Sequence, residues 1–286
     1  MFSQLQLAGT YGFSPLTVAE RASPEKGMAT RRRVTRQTGG MLDTSVIPPA
    51  GARTFTTHRR VRLSDTDAGG RVRLDAVARV LQDAAIDDAQ ETGWGTPDHL
   101  WVIRSIQIDV VSSLLYDREV EITTWGSGVA AIAAGRRWSL AGDAGGRAEI
   151  DSVWIHLGPD QRPARIGDFG PYGIAAAGRV VSTKLTLPGP PADTVHSPWA
   201  LRSTDLDTLG HVNNAVYWQA VEDRFAREGV SLVEPHRARL DYRDPIDLED
   251  DVALARFDEG DGRRCLAFVV GGRARAVASV EPLAGG

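Results

Sequence analysis

A single cysteine, Cys265, stands in 286 residues, which excludes an internal disulfide framework and any zinc site built from several thiolates. That scarcity fits a reducing compartment. Positive charge is not in excess either: Lys+Arg 33 stand against Asp+Glu 37, a formal net charge of -4. No overall positive field exists to hold a phosphate backbone or an anionic membrane, so nucleic acid is not an expected partner. Long apolar runs are missing too, with none near the roughly 18 to 20 residues that span a bilayer. The N-terminus has no basic stretch followed by an apolar block, as an export signal would. The expectation is a cytoplasmic protein with no membrane span.

What is present is enough apolar material for two cores, 42% hydrophobic over 286 residues. Residues 1–52 mix Gly, Pro, Ser, Thr and Arg without a sustained apolar period and read as a disordered or loosely docked leader. Met28 and Met41 are alternative starts, and Arg31, Arg32 and Arg33 form a solvated charge run to which no function is assigned. From about 53 the pattern changes. The stretch HRRVRL reads as a short strand, SDTDAGG as a turn, and Leu74, Val77, Leu81 and Ala84 or Ala85 as the buried stripe of a helix. Four strand-like segments follow, separated by Asp, Gly and Ser turns. A long helix followed by an antiparallel sheet outlines an α+β hotdog domain over 53–160. Residues 161–197, with Pro163, Pro171, Pro188, Pro190 and Pro191, read as a linker.

A second unit, 198–286, repeats the first. Laying SDTDAGGRV over TDLDTLGHV pairs Asp65 with Asp205, Asp67 with Asp207, Gly70 with Gly210 and Val72 with Val212, at a constant offset of 140 residues and without a gap. Tyr217, Val221 and Phe225 give the next helix its apolar face, and four strands follow again. The predicted architecture is a tandem hotdog, each half an antiparallel sheet wrapped around a long helix.

Chemistry concentrates between Asp205 and Asn214, where two carboxylates, an imidazole and two amides precede a helix. An Asp four residues before a His lets a carboxylate orient the imidazole, or lets both face one bound carbonyl. Gly210 allows close backbone approach. Asn213 or Asn214 can cap the helix, whose first N–H groups can polarise a carbonyl oxygen as it becomes an oxyanion. Such a loop calls for no metal and no cofactor. On spacing alone the plainer reading stays open, that of ordinary caps and a surface histidine. The first copy has Arg71, Arg73 and Leu74 where the second has His211, Asn213 and Asn214. One working site per chain, made by the second copy and walled by the first, is therefore expected.

These residues resemble the acyl-ACP thioesterases of plants and bacteria from about 55 to 282. In the first half the likeness rests on LQDAA at 81–85, LWVIRSIQIDV, TTW at 123–125, GRRWSL and SVWI at 152–155. In the second it rests on the segment from Asp205 to Tyr217 containing HVNN, and on DYR at 241–243. The resemblance implies a double hotdog that releases free fatty acid from acyl carrier protein in fatty acid biosynthesis. It places the family's catalytic Asp on Asp207 and its His on His211. The family's Asn falls on Leu209 and its downstream Glu on Pro245, neither of which supplies a polar group, so Asp244 and Asn213 are the nearest stand-ins. The SDTDAGG segment also resembles the acyl-CoA thioesterases of the 4-hydroxybenzoyl-CoA type. That likeness adds Asp205 as a second candidate carboxylate and ranks Asp65 lower.

The candidate catalytic residues are thus Asp207, His211, Asn213 and Asp205, with Asn214 and Gly210 in substrate binding. His211 would activate water or a developing nucleophile, Asp207 would orient and charge it, and helix N–H groups near Asn213 would hold the oxyanion, or the Asn pair would instead position the thioester. Partners would be acyl carrier protein or acyl-CoA, and the chain a monomer or homodimer. A non-catalytic acyl-binding protein is the reading favoured by Leu209 and Pro245 alone. A hydratase fits poorly, because the His would follow its Asp by five residues; here it follows Asp207 by four and Asp205 by six. Trp101, Trp125, Trp138 and Trp154 are expected to fill the core, or to line an acyl tunnel. Arg59, Arg60, Arg136 and Arg137 either face solvent or meet an acidic carrier, and Cys265 reads as a packed thiol.

Overall fold

The computed structural model describes residues 48, 50–94, 99–176, 179–230, 232, 235–260 and 262–283. The expected leader, its alternative starts and the Arg31–Arg33 run lie outside them, save residues 48 and 50–52. The first half comprises β1 (Thr54–Arg60), α1 (Leu74–Glu91), β2 (Leu100–Ser112), β3 (Glu119–Val129), β4 (Ala133–Gly142) and β5 (Arg147–Leu157). A short helix, α2 (Gly173–Ala176), lies in the connection. The second half comprises β6 (His196–Pro198), α3 (Val216–Arg227), β7 (His236–Tyr242), β8 (Val252–Asp258), β9 (Arg264–Val270) and β10 (Arg273–Pro282).

All ten strands form one antiparallel sheet in the order β1-β3-β4-β5-β2-β7-β10-β9-β8-β6. Read outward from the β2–β7 seam, each half has the same order, which is the tandem hotdog. The first strand is shifted from its expected place: it spans Thr54–Arg60 instead of HRRVRL. Thr54 to Arg60 pair residue by residue with Trp125 to Glu119. Beyond Arg60 the main-chain N–H of Arg62 goes to Asp65 Oδ2 at 2.9 Å, winding Leu63–Asp65 into a single 3-10 turn.

The helices supply the core. Leu74, Val77, Leu81 and Ala84 of α1 are buried, as are Tyr217, Trp218, Val221 and Phe225 of α3, and both stripes join one cluster with Ile106, Ile108, Ile122, Trp138 and Leu240. Each buried Val, Leu, Ile or Phe among them contributes about 1.5 to 3 kcal/mol by leaving water. Trp125 and Trp138 are core residues, whereas Trp101 lies half-buried among Trp94, His156 and Phe169.

The connection is more than a tether. Val129 N–H donates to Arg179 O, Arg179 pairs with Asp151 at 2.6 Å, and Asp241 Oδ2 accepts the N–H groups of Thr186 and Leu187. Gly128 and Gly135 make room for it, since a Cβ on either would come within 2.8 Å of Val181 Cγ1. Leu187 covers a second apolar cluster containing Phe257, Cys265 and Val269. Cys265 is fully buried there, and burial pushes its thiol up to about 12. It is a packed thiol, as its apolar strand implied.

Two of the first-half arginines depart from both sequence readings. Arg136 donates to Asp88 at 2.7 Å and is mostly buried, and Arg137 is buried 3.9 Å from Asp151. Neither faces solvent or a partner. The exposed Arg59 and Arg60 pair with Asp83 and Asp117.

The halves also meet through α1 and α3. Leu74 N–H donates to Glu222 Oε1 at 2.9 Å, and Gln219 Nε2 to Asp75 Oδ2 at 3.0 Å. Burial pushes the Glu222 carboxyl up to about 7 against the pull of the Leu74 N–H, with Asp75 adding to the rise. An acid whose pKa is raised on folding favours the folded state fully below its unfolded value, 4.5, and loses that contribution as pH climbs through 7. Between about pH 4 and pH 8, wild type should therefore lose about 3 kcal/mol more unfolding free energy than Glu222→Gln. Urea unfolding of the two proteins across that range checks it, and parallel curves would contradict it.

Candidate active site

The turn repeats bond for bond. In the first half Asp67 N–H donates to Arg71 O, Gly70 N–H to Asp67 O, Arg73 N–H to Asp65 O and Val72 N–H to Leu114 O. In the second, Asp207 N–H donates to His211 O, Gly210 N–H to Asp207 O, Asn213 N–H to Asp205 O and Val212 N–H to Ile246 O. Gly210 has φ +81°, a left-handed conformation that glycine adopts without strain, and a Cβ there would meet nothing within 4 Å. Its contribution within the fold is this backbone conformation, and the space beside it is open.

The side chains are where the copies part. Asp67 is clamped by Arg71, whose Nε and Nη2 lie 3.0 and 2.8 Å from Asp67 Oδ2. Burial pushes that carboxyl up, but the bonds and charge of Arg71 outweigh it and leave the pKa below the ordinary value. Asp207 has no such clamp. Its Oδ1 accepts the N–H of Leu209 at 2.8 Å and of His211 at 3.4 Å, while Oδ2 accepts no hydrogen bond among the described residues.

His211 is half-buried, and its Nε2 lies 3.6 Å from Asp247 Oδ1 across the bridge that pairs the two residues. Asp247 lies two positions past Pro245 and was not singled out from sequence. Its counterpart in the first half is Leu115, bridged to Arg71. Asp244, the expected stand-in, turns instead to Arg275 at 3.6 Å. Leu209 sits exposed at the tip of the turn, and Pro245 is exposed.

The remaining candidates build the turn. Asp205 is buried, and Arg202 grips both its oxygens, with Nη2 to Oδ1 at 2.7 Å and main-chain N–H to Oδ2 at 2.8 Å. Asn213 Oδ1 accepts the Ala215 N–H at 2.9 Å, closing the approach to α3. Asn214 O accepts the Tyr242 hydroxyl at 3.0 Å, while Asn214 N–H donates no hydrogen bond among the described residues. Tyr217 lies beneath the turn. Burial first, then the carboxylates of Asp207 and Asp247, raise its pKa and keep the phenol protonated. Together these residues present an imidazole with a neighbouring carboxylate, a second carboxylate oxygen open to a water, and an unused N–H at a helix start. No cluster of His, Cys, Asp and Glu able to hold a metal occurs among the described residues.

Fold and turn together define a two-hotdog protein whose second-half turn carries polar side chains that the first-half turn lacks. Residues 52–168 match the family model of the acyl-ACP thioesterase N-terminal domain, and residues 190–267 that of its C-terminal domain. The chain belongs to the acyl-ACP thioesterase family and is a thioester hydrolase acting on fatty-acyl thioesters. An uncharacterized protein of Mycobacterium tuberculosis is 29% identical over 82% of this chain and 94% of its own. The oleoyl-acyl carrier protein thioesterase of Coriandrum sativum is 25% identical over 73% of this chain, which spans 63% of that protein. Among solved structures, the acyl-ACP thioesterase of Bacteroides thetaiotaomicron has a TM-score of 0.68 at 17% identity, covering 79% of this chain and 96% of its own. The 12:0-ACP thioesterase of Umbellularia californica gives 0.64 at 20%, covering 80% and 96%. No helix among the described residues is long and apolar enough to cross a membrane.

Proposed function

We propose that the substrate is a fatty acid carried on acyl carrier protein, that the reaction ends fatty acid biosynthesis in the cytoplasm, and that the second-half turn alone carries it. The observation that supports this most is the contrast between the copies. Where Arg71 neutralises Asp67, His211 instead lies beside Asp247 and leaves Asp207 Oδ2 open. The domains on this reading are 53–160 and 198–286, joined by 161–197. One chain contains both hotdogs, so the site is complete in a monomer, and a homodimer would add nothing to it.

In the mechanism a water held by Asp207 Oδ2 attacks the thioester carbonyl carbon. His211 takes the water's proton, and Asp247 stabilises the imidazolium. The carbonyl oxygen becomes an oxyanion facing the Asn214 N–H, at the positive end of α3. Collapse breaks the C–S bond, and His211 returns the proton to the leaving thiolate, giving free acid and free thiol. Asp205 and Asn213 shape the turn, and Gly210 permits its conformation. Because Asp247 is more than half exposed, its stabilisation is screened, and Asp247→Asn should lower kcat only about two- to fivefold. Steady-state kinetics on that variant checks it, and an unchanged kcat would remove Asp247 from the mechanism.

Thiol release from a panel of acyl-ACP and acyl-CoA substrates tests the function. Faster turnover of acyl-ACP supports it. A preference for acyl-CoA assigns the chain to substrates like those of the 4-hydroxybenzoyl-CoA type. Binding without release makes it an acyl-binding protein, with Leu209 and Pro245 marking the lost groups.

A further inference from the structure

The halves also differ where their helices begin. In the first half Leu74 N–H, at the start of α1, donates to Glu222 Oε1 of α3. The 140-residue offset assigns Asn214 to Leu74 and Gln82 to Glu222. The mirrored bond would run from Asn214 N–H to the Gln82 amide, and it is not made. Neither that N–H nor the side-chain amides of Gln82 and Asn214 have a hydrogen-bond partner among the described residues.

Gln82 and Asn214 both line one small cavity of about 10 Å³, walled also by Leu81, Ile103, Ile106, Trp138 and Trp154. This is room for about one water, in mostly apolar walls. Gln82 and Asn214 are half-buried, and in the same wall the indole N–H of Trp138 is buried without a hydrogen-bond partner among the described residues, so the cavity offers donors to a polar ligand atom. In the first half the corresponding N–H is filled by the protein's own carboxylate oxygen. In the second half an amide of nearly the same shape leaves the N–H open.

The geometry points to Gln82 as a substrate-positioning residue contributed by the first half: its amide N–H donates to the acyl carbonyl oxygen to which the Asn214 N–H also donates. This rests on the site proposed above. The acyl chain then runs along Leu81, Ile103 and Trp154, which requires these side chains to move apart from the small cavity seen here. Glutamine suits the place because it is a neutral donor. A glutamate would accept from the Asn214 N–H as Glu222 does from Leu74, and would repel an oxyanion.

The test uses two non-hydrolysable probes built on acyl-pantetheine. One is a ketone, in which CH2 replaces sulfur and the carbonyl remains; the other is a thioether without a carbonyl. Their Kd values are measured by calorimetry on wild type, Gln82→Met, which keeps the length of the side chain, and Gln82→Glu, with a melting curve for each. Gln82→Met should weaken the ketone about five- to tenfold and the thioether by under about twofold. Gln82→Glu should weaken the ketone further. Equal weakening of both probes would mean a packing role and overturn the proposal. So would unchanged ketone binding in the variants, or a wild type that binds neither probe. If one variant fails to fold, the other decides by the same comparison. Thiol release is measured separately on the wild type. A protein that discriminates the probes through Gln82 but releases no thiol would keep this inference and lose the proposed hydrolysis.

Discussion

The His211→Ala variant is expected to lose about two to four orders of magnitude in kcat while melting close to wild type. The imidazole is a quarter exposed, so its removal opens no large core cavity. The turn is held by main-chain bonds that alanine retains: Asp207 N–H to His211 O, Val212 N–H to Ile246 O, and the bridge to Asp247. The proposed mechanism gives the proton transfer to His211, and no second imidazole stands in the turn. Single-turnover release of thiol from an acyl-ACP substrate, with circular dichroism melting as the folding control, provides the measurement. A kcat within about threefold of wild type would shift the base role to Asp207, whose Oδ2 has no hydrogen bond to give up. Asp207→Asn would then become the severe variant.

The candidate turn could be read from the sequence because its geometry is local. Asp65, Asp67, Gly70 and Val72 repeat at Asp205, Asp207, Gly210 and Val212, and a turn set by hydrogen bonds within a few residues follows its own sequence. What each side chain touches was less legible. Asp207 was expected to orient the imidazole, yet its Oδ1 is directed to the main chain of Leu209 and His211. The carboxylate beside the ring comes from Asp247, brought there by an isolated bridge to the connection between β7 and β8. The repeat does not reveal it, because the span from Val72 to its partner Leu114 contracts to Val212 and Ile246 in the second half. Gln82 is hidden for a related reason. In its own helix it is one polar residue of a half-buried stripe, and only the packing of α1 on α3 puts it beside Asn214.

Helices and most strands were legible from periodicity, since a buried stripe at intervals of three and four is a property of the chain alone. The continuity of the sheet was not. Nothing in LWVIRSIQIDV says that it pairs with β5 on one side and β7 on the other, and that second pairing turns two hotdogs into one ten-stranded sheet. The buried arginines escaped for the same reason. Arg136 and Arg137 look like a solvated pair until Asp88 and Asp151 are placed against them.

The β2–β7 seam carries the stability prediction with the largest effect. Asp109 and Arg237 stand opposite each other in its register, 0% and 3% exposed, with Arg237 Nε and Nη2 each 2.7 Å from a carboxylate oxygen. Gln107 Nε2 adds a bond to Asp109 Oδ1 at 3.2 Å. Removing one partner leaves a charge in a place that water does not reach. Asp109→Ala is accordingly expected to cost about 3 to 5 kcal/mol, far more than an exposed pair would contribute. The pair need not be stabilising relative to an apolar seam, because desolvating two charges offsets much of their attraction. The double variant Asp109→Leu with Arg237→Met should therefore recover most of the loss and come within about 1 kcal/mol of wild type. Urea unfolding of the full chain for Asp109→Leu, Arg237→Met and the double variant, with Asp109→Ala alongside, gives the coupling. A loss under about 1 kcal/mol for Asp109→Ala would show that water reaches the seam. A double variant as unstable as the singles would show that the pair itself, and not the relief of an unpaired charge, holds the halves together.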